Sequence, residues 1–424
     1  MADLTVQSKF STLGGREIQL GVTRKPITAW GGLALFAAFC ETVGFRAALD
    51  GALACLGRVS PNALPASDHF LAFMVGVLTG AARFLHLALL PAREAGYTLD
   101  LDSTVLERFG EQEGVLPGYN PRRHGRPTHH PLLAGLAEAK WILHGWLRAG
   151  NAASANNVRA FMDECFAQLD GIAKLRLMRA DSGFFDGKFL DFLEGKALPY
   201  LVKGRMTKLV KLAVLGVSEW TRVGRGIEVA EARIRLLGWS RERRLVVIRQ
   251  EVATKETKAL GKRLFECKGY TFQAIVTSLE VAEMDAVTAY RTYNGRADFE
   301  NRIKELKRGC GLEGFCMDSF TATECVLRTL CLVHNLVQHF QDRVGLRPAD
   351  APKKDGKRHV LETLRHTLFT CAAVLGQSGR AKVLRLSATD AWLVTFHAAL
   401  SRILAPIANC KAPPIEGPFM ALMA

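Results

Sequence analysis

The sequence predicts an α/β protein, and three stretches carry that expectation. Residues 97–105 alternate with period two, Leu99 and Leu101 to one side and Asp100 and Asp102 to the other, so they read as a strand. Residues 175–183 read as a second strand running into a turn, followed by a helix over 184–193 with Phe185, Phe189, Leu190 and Leu193 apolar. From Tyr293 to Lys307 the period turns helical, and at about 100° per residue Phe299, Ile303 and Leu306 form a core-facing side.

The remaining elements follow in order. A core helix is expected over 29–45, ending near Gly44, then a loop over 50–68 marked by Gly51, Gly57, Pro61 and Pro65. Residues 70–90 are almost wholly apolar, but Arg83 and His86 interrupt them at helical spacing, so they read as a buried helix rather than a membrane span. After the acidic strand, 109–128 is turn-rich and basic, with Arg122, Arg123, His124 and Arg126, and 129–133 resumes a strand. Together these predict a hairpin with a cationic tip. His129 and His130 are neighbours on a strand and point to opposite faces, so they are not read as a metal pair.

A helix is predicted over 156–169 and a buried strand over 199–203, after which Lys203, Arg205, Lys208 and Lys211 follow with no acid between. Strands rich in Val, Ile and Arg are expected over 227–237, 244–252 and 270–277. An apolar helix over 323–340, a charged linker over 343–358 and a strand over 382–386 complete the chain.

Composition narrows the function classes. The 424 residues are 49% hydrophobic, enough for a substantial core. Lys and Arg number 56 against 41 acids, a formal net charge of +15, which favours a polyanionic partner, nucleic acid before membrane. The ten cysteines include no C-x-x-C pair, which argues against zinc ribbons and a secreted disulfide framework. No apolar run follows a basic region in residues 1–25, so a cytoplasmic, nucleoid-associated protein is expected. No P-loop, G-x-S-x-G or internal repeat is present.

Four acids at three places stand out, each place with a bland alternative. Tyr293, Arg296, Glu300, Lys304 and Lys307 share one stripe of a single expected helix, so Glu300 points where cations point; a solvated face of i,i+4 pairs reads the same way. Asp181 closes a strand just before a helix, where α/β folds place their chemistry, and where a helix N-cap also sits. Asp100 and Asp102, side by side on one strand face, repel unless a cation or metal lies nearby; an exposed edge strand is the other reading.

Asp-Ser-Thr at 102–104, Arg-Ala-Asp-Ser-Gly-Phe at 179–184 and Tyr293-x2-Arg296-x3-Glu300-x6-Lys307 together resemble bacterial insertion-sequence transposases of the DDE class. The last element is similar to the Y-R-E-K signature of the insertion-sequence-4-related branch. Tyr119-Asn120, the run at 130–134 and the run at 380–386 resemble its group numbered 1380.

The resemblance implies an RNase H-like (retroviral-integrase-like) catalytic core. It would be divided as a helical DNA-binding region over 1–95, a core over 96–214 and 286–342, a β-rich insertion over 215–285 and a C-terminal region over 343–424. It also implies Asp102, Asp181 and Glu300 as catalytic and metal-binding residues, Asp102 being preferred over Asp100 by the motif. Such a site would hold Mg²⁺ or Mn²⁺, as two ions, for cleavage and strand transfer. Tyr293, Arg296, Lys304 and Lys307 would contact DNA phosphates, and double-stranded DNA, at terminal inverted repeats and at a target, is the expected partner of a homodimer. An RNase H-like nuclease or recombinase and an inactive, domesticated DNA-binding protein are the rival readings.

Overall fold

The computed structural model describes residues 9–11, 17–23, 33–53, 65, 67–68, 71, 93–120, 123–252, 265–267, 269–346, 358–378, 381–387 and 391–405. The chain divides into two compact units, Met1–Leu85 with Leu332–Ala424, and His86–Cys331. The expected helix over 70–90 lies outside the described residues apart from Leu71.

In the first unit, β1 (Lys9–Ser11) pairs antiparallel with β2 (Glu17–Thr23). Helices α1 (Leu33–Thr42) and α2 (Phe45–Ala52) follow, separated at Gly44, whose φ of 65° is open to glycine at little cost. The expected helix over 29–45 therefore restarts, and its second piece occupies the beginning of the expected loop.

The second unit is built on one large sheet. Strands β3 (Tyr97–Ser103), β4 (Leu106–Glu107), β5 (Leu116–Pro117), β6 (Pro127–His129), β7 (Leu132–Leu136) and β8 (Trp141–Trp146) come first. Then come α3 (Val158–Leu169), β9 (Leu175–Ala180), α4 (Gly187–Gly195), β10 (Tyr200–Lys203) and α5 (Lys208–Leu215). The central order is β8-β7-β3-β9-β10, with β3, β9 and β10 parallel and β7 antiparallel to both neighbours. Three meandering strands followed by two parallel ones on the far side of the first make an RNase H-like core. Strands β4, β5 and β6 form a separate small sheet.

The β-rich stretch is continuous with this sheet. Strands β11 (Thr221–Gly224), β12 (Ile227–Ile234), β13 (Arg243–Glu251), β14 (Phe265–Cys267) and β15 (Tyr270–Thr277) extend it outward, β15 pairing antiparallel with β10. Leu177, Leu201, Val229, Val246, Ile248 and Ile275 make one apolar layer, covered by α6 (Ala286–Asn294) through Ala289, Val287, Tyr290 and Tyr293. Helix α7 (Ala297–Arg308) lies on β7 at Gly135, where a Cβ would come 2.2 Å from the Phe299 ring. Helix α8 (Phe320–Val344) leads into the last elements: α9 (Leu361–Leu364), β16 (Ala373–Ser378), β17 (Ala381–Ser387) and α10 (Leu393–Leu404). Strand β17 pairs parallel with β2, so the first unit has a four-stranded sheet besides its helices. No described helix is long and apolar enough to cross a membrane.

The single helix expected over Tyr293–Lys307 is two. An uninterrupted helix would have the Thr292 carbonyl accept from the Arg296 amide four residues on. Instead that carbonyl accepts from Arg179 Nη1 at 2.6 Å, and the Arg296 amide bonds to Tyr293 O at 3.0 Å. Gly295 makes this approach possible, since a Cβ there would lie 2.6 Å from Arg179 Nη1.

Candidate active site

The register of two parallel strands places the first two acids. Asp100 of β3 sits opposite Arg179 of β9 and Leu101 opposite Ala180, so one residue beyond the paired register come Asp102 and Asp181, near enough for Asp181 to raise the Asp102 pKa. Side chains two apart share a face. The face therefore carries one rung of opposite charge and one rung of like charge.

The first rung is closed. Arg179 donates Nε to Asp100 Oδ1 at 2.6 Å and Nη2 to Oδ2 at 2.7 Å, and the Asp100 side chain is 0% exposed. Burial raises the Asp100 pKa and Arg179 opposes that rise. A bidentate guanidinium leaves this carboxylate little capacity for any other ligand. Asp100 is thus a structural partner that ties β3 to β9 and, through the Arg179 bond to Thr292, to the end of α6.

The second rung faces the open side of the sheet. Asp102 Oδ1 accepts from the Ser103 amide at 2.8 Å, and Oδ2 accepts from Arg296 Nη1 at 2.9 Å. The other arm of Arg296, Nη2, donates to Glu300 Oε1 at 2.9 Å. Arg296 is buried and bridges the two acids, while the Glu300 side chain is 50% exposed in the first turn of α7, where the helix dipole favours an anion. Burial drives the Asp102 carboxyl up to about 7; Arg296 pulls it back, and Asp181 and Glu300 push it further up. Burial opposes the Arg296 charge, but Asp102, Tyr293 and Glu300 outweigh it and its pKa is raised.

Asp181 acts as an N-cap, the second of its two sequence readings, and also borders a cleft. Its Oδ1 accepts from the Gly183 amide at 2.8 Å and caps the single turn Ser182–Phe184, while Oδ2 has no partner among the described residues. It lines a cleft of about 870 Å³, together with Ser103, Ser154, His130, Arg205 and Lys307. Asp102 and Glu300 line an adjoining recess of about 450 Å³ with Lys304, Lys307 and Arg308. Ser103, Thr104, Lys307 and Glu313 border both hollows.

The four side chains read as phosphate contacts separate here. Lys304 is exposed, and its Nζ reaches Asn301 Oδ1 at 3.4 Å. Lys307 donates to Val105 O at 2.7 Å and lies 3.4 Å from Glu313, holding the segment after β3 against α7. Tyr293 and Arg296 turn inward: the phenol donates to Ala180 O at 3.3 Å, and burial raises its pKa. His129 Nε2 and His130 Nδ1 each donate to a backbone carbonyl, of Glu113 at 2.9 Å and Ala152 at 2.6 Å.

A family model described as transposase DDE domain group 1 matches residues 81–406. The chain belongs to that family. Among solved structures it is similar to piggyBac transposase in a cryo-EM synaptic complex with hairpin DNA, at 14% identity and a TM-score of 0.39. That likeness covers 65% of this chain and 52% of the other, so the chain spans about half the length of that protein. No curated protein matches it.

Within this DDE transposase domain, sequence reasoning missed Arg179 as the partner of Asp100. The one signal was its position two residues before Asp181, which acquires meaning only once β3 and β9 are in register. Ser154, whose Oγ lies 2.9 Å from Ser103 Oγ, and Arg205, which donates to Ser182 O at 2.7 Å and Gly183 O at 3.0 Å, carry no motif.

Proposed function

We propose that this chain is a DNA transposase that cleaves and joins DNA strands by phosphoryl transfer at Asp102, Asp181 and Glu300. The observation that carries the reading is the like-charged rung at the ends of β3 and β9, with Glu300 added from α7 and one guanidinium shared between two of the three acids. Concentrating carboxylates in this way costs stability, and the cost is offset where a cation is to be bound.

The donor set fits a hard divalent ion. All three candidate ligands are carboxylate oxygens, and the Asp102 pKa is raised chiefly by burial, with Arg296 opposing the rise and Asp181 and Glu300 adding to it. Asp102, Asp181 and Glu300 would hold Mg²⁺, or Mn²⁺, as two ions. Bound there, the ions supply the charge that activates a water or 3′-hydroxyl and stabilises a leaving oxygen. Arg296 balances Asp102 and Glu300 and would have to release at least one of them when ions bind. Its part is therefore to position the acids, with Tyr293 holding the join between α6 and α7 against the end of β9. Lys304, Lys307 and Arg308 line the recess beside Glu300 and would hold the flanking phosphates.

The spacing Tyr293, Arg296, Glu300, Lys307 supports placement in the insertion-sequence-4-related branch, and Tyr119-Asn120 with the runs at 130–134 and 380–386 supports its group 1380, with the terminal inverted repeats of the encoding element as substrate and a homodimer as the working form. Arg296 joining Asp102 to Glu300, with Asp181 in the cleft that borders their recess, favours this over the inactive DNA-binding reading, although among the described residues no three acids form a group that could hold a metal ion as they stand. The test is cleavage of a labelled DNA end from the flank of the encoding gene. Wild type should cut only with Mg²⁺ or Mn²⁺, while Asp181→Asn and Glu300→Gln bind the DNA without cutting it. Normal cutting by either variant removes that acid from the site.

A further inference from the structure

The cleft beside Asp181 extends to a wall that the acids do not use. That wall belongs to the small sheet of β4, β5 and β6 with its turns, and it presents two large aromatic side chains, Phe109 at 70% and Tyr119 at 54% exposure. Exposed aromatics inside a cleft, away from the apolar layers of the fold, mark a binding surface more often than a packing surface.

Both rings are held in place. The Arg126 guanidinium lies 4.2 Å from the Phe109 ring centroid, a cation–π contact that backs the ring. Tyr119 follows Gly118, where a Cβ would come 1.8 Å from Gly150 O; a Cβ at Gly150 would come 2.0 Å from Leu116 O. Two backbones packed this closely leave the turn no room to shift. Buried Asn120 completes the support, donating to Glu107 Oε1 at 3.0 Å and accepting from the Arg123 amide at 3.1 Å.

The cleft also has charge for a phosphate. Arg205, which lines the same cleft, donates to the carbonyls of Ser182 and Gly183, the two residues after Asp181, and to no carboxylate among the described residues. Its positive charge is therefore not cancelled.

We propose that Phe109 and Tyr119 form a stacking subsite for an unpaired nucleotide of the DNA end, with Arg205 serving its phosphate. The inference rests on the reading that the acids act on DNA. A base within an intact duplex has both faces covered by its neighbours, so these rings serve a nucleotide freed from the stack. The cleft volume falls in the range, roughly 300–1,000 Å³, of sites that enclose a small organic group. Its border with the recess of Asp102 and Glu300 puts the freed nucleotide next to the acids.

The test uses the full chain and two probes, a blunt duplex and the same duplex with a short single-stranded tail carrying 2-aminopurine. Wild type should prefer the tailed probe and change the 2-aminopurine emission. Phe109→Ala and Tyr119→Ala should each weaken tailed-probe binding by about tenfold or more while blunt-duplex affinity and its salt dependence stay as in wild type. Phe109→Trp should restore the preference. Variants that keep the wild-type preference and emission overturn the subsite and leave the DNA reading standing. A wild-type chain that binds neither probe overturns the DNA reading, and the subsite with it.

Discussion

Replacing Asp102 by Asn should stabilise this protein, and more so as the pH rises. The Asp102 side chain is 14% exposed, and burial together with Asp181 and Glu300 lifts its pKa from 3.8 to about 7. Between those values the folded chain holds a proton that the unfolded chain has released, so stability falls as the pH rises through the window. A rise of about three units at 1.36 kcal/mol each comes to about 4 kcal/mol as an order of magnitude. Asn mimics the protonated acid in shape and charge and has nothing to lose across the window. Urea unfolding of wild type and Asp102→Asn in chelator should therefore give nearly equal free energies at pH 4, and an advantage of up to about 4 kcal/mol for the variant at pH 8. Adding Mg²⁺ at pH 8 should narrow the gap, because the ion stabilises only the chain that keeps the carboxylate. A gap that is constant with pH, or one that favours wild type at pH 8, refutes the electrostatic reasoning.

Three further outcomes follow from the same geometry. Asp100→Ala strips the buried Arg179 of its bidentate partner and should cost about 3–5 kcal/mol in urea unfolding; a loss below about 1 kcal/mol would show the pair to be dispensable. Gly135→Ala drives a methyl into the Phe299 ring and should destabilise by about 1–3 kcal/mol while weakening Mg²⁺ binding, since α7 carries Glu300; unchanged ion affinity would mean that α7 does not set the acid's position. Lys304→Ala should lower the slope of log affinity against log salt on end DNA by about one unit, with a smaller change for the buried Arg296→Ala; equal slopes for Lys304→Ala and wild type would make Lys304 a solvated surface lysine.

Much of the core was legible because period and composition are local properties. The strands at 97–103 and 175–180, the helix at 158–169 and the strands at 227–234 and 270–277 declare themselves through alternation, apolar spacing and β-branched content. What decides the site is register, which is not local. Asp100 and Asp102 are equivalent in an isolated strand, and only the pairing of β3 with β9 assigns Arg179 to one and Asp181 to the other. The stripe from Tyr293 to Lys307 shows the opposite failure: helical periodicity continues through Gly295 and Arg296, yet a guanidinium from another strand takes the Thr292 carbonyl and splits the helix. Arg296, expected to face phosphates, consequently faces two carboxylates. The strands β1 and β2 went unread: among the described residues β1 pairs only with β2, and β17, which pairs with the other edge of β2, lies far along the chain. A deletion of 220–280, plausible for a detached insertion, would uncover the β10 edge and remove most of the apolar layer under α6.

The central claim is that Asp102, Asp181 and Glu300 together bind the ions used on DNA. Its most direct test is calorimetric titration of Mn²⁺ into the full chain at pH 8 with uncleavable end DNA present. Two ions should bind to wild type, and Asp102→Asn, Asp181→Asn and Glu300→Gln should each lose at least one of them, whereas Asp100→Asn, if it folds, should keep both. Wild-type stoichiometry in all three of the acid variants, or no Mn²⁺ binding by the wild-type complex, would contradict the account.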